Sequence, residues 1–234
     1  MGGACLSEIQ RPKKRLSLAI EEAFDLLESF SLDWENPMIQ MCVGCYATCV
    51  ELAQTIDFLS AEEKFFDAKI LLRAMLEHYV ELDNLSSNPT YLHKVHYKHA
   101  IDTLKILKAS ETDNPYFEKF SQRIRVEDET AIWEERKSMI ASLGGKKQTR
   151  FDDFSAAGME DEYKSVYANL SKLTHPTFGG IIERHLEYDE KDHKVKFFVL
   201  KEATPETKEL VYSTTSDILE KATKVIANKL KPAI

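Results

Sequence analysis

The sequence predicts an all-α bundle of about seven helices that carries one inserted β-hairpin. Three observations predict it. Glycine and proline are scarce, 8 and 7 residues in a chain of 234, too few turn formers for a sandwich or barrel. Apolar residues recur at helical three-to-four spacing over most of the chain. That period switches to two only once, at about residues 181–200.

Residues 1–11 read as a flexible N-terminus, and 12–234 as a single helical domain with the hairpin as an insert. The first helix is expected from Pro12, which suits a first turn, to Phe30, with Leu16, Ala19, Ile20, Ala23, Leu26 and Leu27 on its apolar side. A second, from Pro37 to Phe58, is apolar nearly all round up to Val50, which predicts a central position. Ser60-Ala61-Glu62-Glu63 has the pattern of a capping box and is expected to open a third helix, to Leu85. Asn88-Pro89 opens a fourth, to Ala109, and Asp113-Asn114-Pro115 a long charged helix to Leu143, expected to protrude. Gly144-Gly145-Lys146-Lys147 reads as a flexible basic loop. A further helix, from Met159 to Thr174, stops at His175-Pro176. Ile182, Arg184, Leu186 and Tyr188 then alternate with Glu183, His185 and Glu187, and Val195, Phe197 and Val199 with Lys194, Lys196 and Phe198. In that hairpin Glu187 is expected opposite Lys194 or Lys196. Thr204-Pro205 opens the last helix, to Leu230.

Composition excludes several classes. Hydrophobic residues at 43% and charged residues at 30% are incompatible with global disorder. A net charge of −8 argues against a DNA-coating protein but leaves room for a local basic site. The chain has no apolar run of the roughly 18 residues a membrane helix needs, and MGGACLSEIQRPKKR lacks the apolar stretch of a signal peptide. A cytoplasmic protein without membrane contact is therefore expected, with Cys5, Cys42, Cys45 and Cys49 reduced.

Most chemically suggestive clusters read as structure. Cys42, Cys45 and Cys49 share one predicted helix with no fourth ligand nearby, so buried thiols are expected, not a zinc site. His93, His96 and His99 cannot all face one ion from a single helix, and Gly144–Lys147 lacks the preceding strand and first glycine of a phosphate loop. No metal and no cofactor is expected. Two stripes carry more information. Arg73 and Glu77 stand at i,i+4 among apolar neighbours, where a charged pair needs polar partners. Tyr163, Tyr167, Ser171 and His175 recur every fourth residue on the helix that ends at Pro176, lining roughly 18 Å of one face with hydrogen-bonding groups. The two stripes are expected to face each other.

On Arg73-Ala-Met-Leu-Glu77 and Tyr167-Ala-Asn-Leu-Ser171-Lys-Leu-Thr-His175-Pro176, the chain resembles a bacterial family of helical proteins of unknown function. That family has an R-x-x-x-E helix, a Y-x-x-x-S-x-x-x-H-P helix end, a variable insert and a last helix. More distantly, Arg73-Ala-Met-Leu-Glu77-His78 is similar to the R-x(4–6)-H signature of the HEPN group, many of them metal-independent RNases of toxin and antiphage systems. This resemblance implies an RNase or nucleotide-acting site. His175 or His78 would be general acid/base, and Arg73 would stabilise developing phosphate charge, held by Glu77. Tyr167 and Ser171 would position the imidazole or substrate, and Lys146, Lys147 and Arg150 would bind substrate. The partners implied are RNA or a nucleotide, a protein, or a second copy of the chain as a homodimer. A non-enzymatic interaction module and a small-molecule sensor are the alternatives. A sealed polar network would favour the interaction module, and an open positive cleft the enzyme.

Overall fold

The computed structural model describes residues 3–30, 35–112, 115–117 and 125–230. Among these stand nine helices and one two-stranded antiparallel hairpin, the all-α architecture with inserted hairpin that the periodicity predicts. In chain order the helices are α1 (Gly3–Glu28), α2 (Pro37–Ala61), α3 (Phe65–Ser87), α4 (Tyr91–Ser110), α5 (Val126–Ser142), α6 (Arg150–Ala156), α7, α8 (Phe178–His185) and α9 (Pro205–Lys229). Helix α7 runs through Glu160–Glu162, a π turn at Tyr163–Tyr167, and Ala168–Thr174. The strands are β1 (Leu186–Asp189) and β2 (Lys194–Phe197). The chain forms two compact units, one of Met1–Ser86 with Phe154–Ile234, the other of Ser87–Asp153.

The first unit is built on α1, α2 and α9. Leu16, Ala19 and Ala23 of α1, Cys42, Cys45, Tyr46, Cys49, Ala53 and Ile56 of α2, and Val211, Leu219, Ala222 and Ile226 of α9 are buried together with the apolar side of α3. Burying each large aliphatic side chain contributes about 1.5–3 kcal/mol. Tyr46 lies wholly inside, and its hydroxyl needs partners. It donates to Ala23 O at 3.3 Å and meets Thr223 Oγ1 at 3.0 Å, which ties α2 to both neighbours.

In the second unit, Ala100, Leu104 and Leu107 of α4 are buried, and His99 meets Trp133 of α5 edge-to-face at 5.1 Å. Gly144 and Gly145 have a task the sequence reading did not assign. Gly144 takes φ 92, its N–H donates to Ala141 O, and the Gly145 N–H donates to Ile140 O, which closes α5 as a Schellman motif. A Cβ on Gly145 would stand 2.9 Å from His93 O, so α4 approaches too closely for a side chain.

Several boundaries differ from expectation, each for a local reason. Helix α1 already exists before Pro12, which lies inside it. Ser60 does not cap α3. It is buried in the last turn of α2, and Glu63 takes a positive φ of 57 beyond the helix end. The apolar contacts of Ile56 keep α2 helical past Phe58, and Lys64 N–H then donates to Leu59 O. A working capping box occurs instead at Thr149 and Asp152, whose side chains each accept the other's N–H, at 3.2 and 2.8 Å. Of the helix expected from Pro115 to Leu143, Pro115–Phe117 form a 3-10 turn and α5 runs from Val126, after an extended Arg125, to Ser142; residues 118–124 lie outside the described residues. Asp113 and Asn114 lie outside the described residues. Residues 182–185 are helical, not extended. Thr177 Oγ1 accepts the Gly180 N–H and opens α8, and over so short a stretch alternation and a helical turn look alike. The hairpin proper pairs Glu187 with Lys196, one of the two pairings expected.

Candidate functional site

The polar side of α3 is a stripe of Lys69, Arg73 and Glu77, spaced by four and therefore on one helix face. The chain from α7 to α8 runs along it in the opposite direction. Arg73 Nη2 donates to the Tyr167 hydroxyl at 2.9 Å, and Nη1 donates to Thr174 Oγ1 at 3.1 Å. The Tyr167 hydroxyl in turn donates to Glu77 Oε1 at 2.9 Å, and Arg73 itself pairs with Glu77 at 3.1 Å. One turn back along α3, Lys69 meets Glu183, and beyond it Asp67 meets Arg184. The buried Lys69, only 3% exposed, thus has its charge compensated.

Local structure sets these positions. In the π turn Ala168 N–H reaches Tyr163 O, and the rings of Tyr163 and Tyr167 stack at 5.2 Å. Phe154 packs on both rings from beside them. Burial raises the Tyr167 pKa against the opposing effect of Arg73, so the phenol stays protonated and able to donate to Glu77. Gly180 lets α8 fold back, since a Cβ there would stand 2.2 Å from Lys172 O.

The two stripes face each other as expected, but not through every residue expected. Arg73, Glu77 and Tyr167 converge. Ser171 donates to Tyr167 O inside its own helix, and its carbonyl accepts from Thr174 Oγ1 at 2.9 Å. Thr174, not Ser171 or His175, reaches Arg73. The sequence contained that signal: Thr174 follows Tyr167 by seven residues, two helical turns on the same face. His175 has left the helix, with φ −118 and ψ 153, because the residue before a proline is pushed out of the helical region. Its side chain is exposed.

Lys146, Lys147 and Arg150 belong to the second unit. The two lysines are exposed, and Arg150 pairs with Asp153 at 3.3 Å. Asp153 also accepts from the buried Tyr91 at 3.0 Å. Cys42, Cys45 and Cys49 are buried free thiols, as expected; burial pushes the Cys45 pKa up to about 12 and raises those of Cys42 and Cys49. Among the described residues, no group of three or more His, Cys, Asp or Glu could hold a metal ion, and no helix is long and apolar enough to cross a membrane.

The interaction-module alternative has the hairpin or the long charged helix contact a partner, and the hairpin has a surface for it. The stretch from α8 through the hairpin exposes Phe178, Ile181, Tyr188, Val195, Phe197, Val199 and Leu200. In the hairpin register Leu186, Tyr188, Val195 and Phe197 share one face, and Phe197 is 68% exposed. The signal was the alternation itself: an amphipathic hairpin has an apolar face that something must cover.

Comparison with curated proteins and with solved structures gives no match. The model of a family of unknown function, DUF5677, matches residues 40–194, a span that holds both the Arg73–Glu77 and the Tyr167–Pro176 stretches. The chain therefore belongs to that family, in accord with the resemblance carried by those two stretches.

Proposed function

We propose that this chain is a protein-binding module in which the first unit presents the α8–hairpin segment to a partner. The observation that carries this reading is the run of exposed apolar side chains from Phe178 to Leu200. Exposed apolar surface of that kind marks interaction sites. The Arg73 network supports the same reading. Its guanidinium already binds Tyr167, Thr174 and Glu77, and Arg73 and Glu77 are only 21% and 19% exposed. A group so engaged stabilises the fold and has little left for a substrate phosphate.

The test is a photo-crosslinking residue placed at Val199, compared with one at exposed Glu51 on α2. The module reading expects discrete adducts from position 199 in the native cell and none from position 51. Identical adduct patterns from both, or none from either, would overturn it.

A second reading keeps the metal-independent RNase or nucleotide-acting function of the HEPN-like resemblance. It is favoured by the exposed His175, which directly follows the Thr174 that Arg73 holds, and by Arg73 Nε, which has no hydrogen-bond partner among the described residues. In it His175 moves the proton and Arg73 stabilises phosphate charge. Tyr167, Ser171 and Glu77 position these two, while Lys146, Lys147 and Arg150 attract the substrate. Assay of RNA cleavage separates the readings.

A further inference from the structure

We infer that the outer edge of β2 is an addition site for an extended peptide of alternating acidic and apolar residues; the inference rests on the binding-module reading and names its partner. Phe198 N–H donates to His185 O at 2.8 Å, and the register pairs these two residues next to Leu186 and Phe197. In an antiparallel ladder hydrogen-bonded pairs alternate. Lys196 and Lys194 therefore direct their backbone groups toward β1, and Val195 and Phe197 direct theirs away from it. Among the described residues, no backbone partner occupies that outer side of β2. The outer side of β1 differs, since Lys201 Nζ donates to Leu186 O at 2.8 Å and blunts it. The β1 edge is thus occupied at Leu186, whereas neither outward residue of β2, Val195 or Phe197, has a backbone partner among the described residues.

The side chains on that edge specify the occupant. Val195 and Phe197 lie on the apolar face, Lys194 and Lys196 on the other. Lys196 Nζ already pairs with Asp189 of β1 at 2.8 Å, so Lys194 is the lysine that selects the charge of an added strand. An added strand places its own residues beside these, apolar beside apolar and, for favourable pairing, acidic beside lysine. A second copy of this chain fits poorly. A two-fold pairing of β2 with its own copy centred on Lys196 sets lysine beside lysine, a repulsive arrangement. Pairing β2 with the β1 edge of another copy meets the Lys201 contact.

The test uses a labelled hexapeptide of alternating Glu and Val, the same peptide with Lys for Glu, and the Glu–Val peptide N-methylated along one edge. Wild-type protein is expected to bind only the unmethylated Glu–Val peptide, with added exchange protection at the Val195 and Phe197 amides. Val195→Pro removes an outward N–H without touching the β1 ladder and should weaken binding about tenfold, the scale of one backbone hydrogen bond. Lys194→Glu should reverse the preference toward the Lys–Val peptide. Equal binding of the methylated probe, protection absent from Val195 and Phe197, or concentration-dependent protection by the chain alone would each overturn the inference. If crosslinks from position 199 form and survive Val195→Pro, the edge is excluded while the module reading stands. If no crosslinks form at all, that broader reading itself fails.

Discussion

Arg73 engages Tyr167 twice. Its Nη2 donates to the phenol oxygen at 2.9 Å, and its guanidinium carbon lies 5.1 Å from the centre of the same ring. Since the phenol O–H itself donates a hydrogen bond to Glu77, one side chain of α7 holds both charges of the α3 pair in register.

Tyr167→Phe keeps the ring and removes the hydroxyl. It leaves Arg73 and Glu77 each short of a partner and should cost about 1–2 kcal/mol in urea unfolding. The figure stays below that of a fully buried ion pair because water reaches the fifth of each side chain that is exposed. Replacing Arg73 by Met and Glu77 by Leu together should cost less than the sum of the single changes. A Tyr167→Phe protein with wild-type stability would mean that the hydroxyl does not join the two helices.

The fold of α8 onto α7 depends on one glycine of two adjacent ones. A Cβ on Gly180 meets the Lys172 carbonyl, whereas one on Gly179 meets nothing within 4 Å. Gly180→Ala should destabilise by about 1–3 kcal/mol, the range of an overpacked site. Gly179→Ala, in the same helix, should be neutral or stabilising by up to ~1 kcal/mol. Thermal unfolding of the two variants side by side reads the difference.

Native Cys42, Cys45 and Cys49 should resist a thiol reagent at pH 8 in a Cys5→Ser background and react fully in denaturant. Burial raises their pKa values, so thiolate is suppressed in the folded chain and released on unfolding. The folded state holds these protons where the unfolded state loses them. Stability should therefore fall as pH rises through the ordinary thiol range, above about 8.5. A stability profile flat from pH 8 to 10 in that variant would contradict it.

Asp57 shows the opposite end of the pH scale. One of its oxygens is buried without a hydrogen-bond partner, and burial raises its pKa against the pull of Lys13. Ionising it costs stability as pH rises from the ordinary carboxylate range through the raised folded value. Asp57→Asn should be more stable than wild type at pH 7, and the gap should close as pH falls and the wild-type carboxyl regains its proton. A gap that widens at low pH would mean the carboxylate is favourably paired.

Long apolar periodicity made most of the helices legible. Pro37 and Thr204-Pro205 mark true helix starts, with Asn36 and Thr204 accepting the first amides. Where two local signals competed, the sequence misled. Ser60-Ala61-Glu62-Glu63 reads as a start, but tertiary burial of Ile56 and Ser60 carries the preceding helix through it. Thr149-Arg150-Phe151-Asp152 is the box that works, on a helix too short to announce itself by period. At the site, spacing identified Arg73, Glu77 and Tyr167, because helical geometry fixes which residues share a face. It could not show the π turn at Tyr163–Tyr167, which depends on ring packing against Phe154. The seven-residue step from Tyr167 to Thr174 did point to the Arg73 partner, but the period of four favoured His175 instead.

With Thr174 instead of His175 at the Arg73 guanidinium, RNA cleavage is the measurement that most directly separates the proposed binding module from a catalyst. Purified wild type, Arg73→Ala and His175→Ala would each be incubated with tRNA and with total RNA in the presence of a chelator. A protein-binding module leaves all the RNA intact in every sample. Cleavage by wild type that vanishes in both folded variants would contradict this account and establish Arg73 and His175 as catalytic.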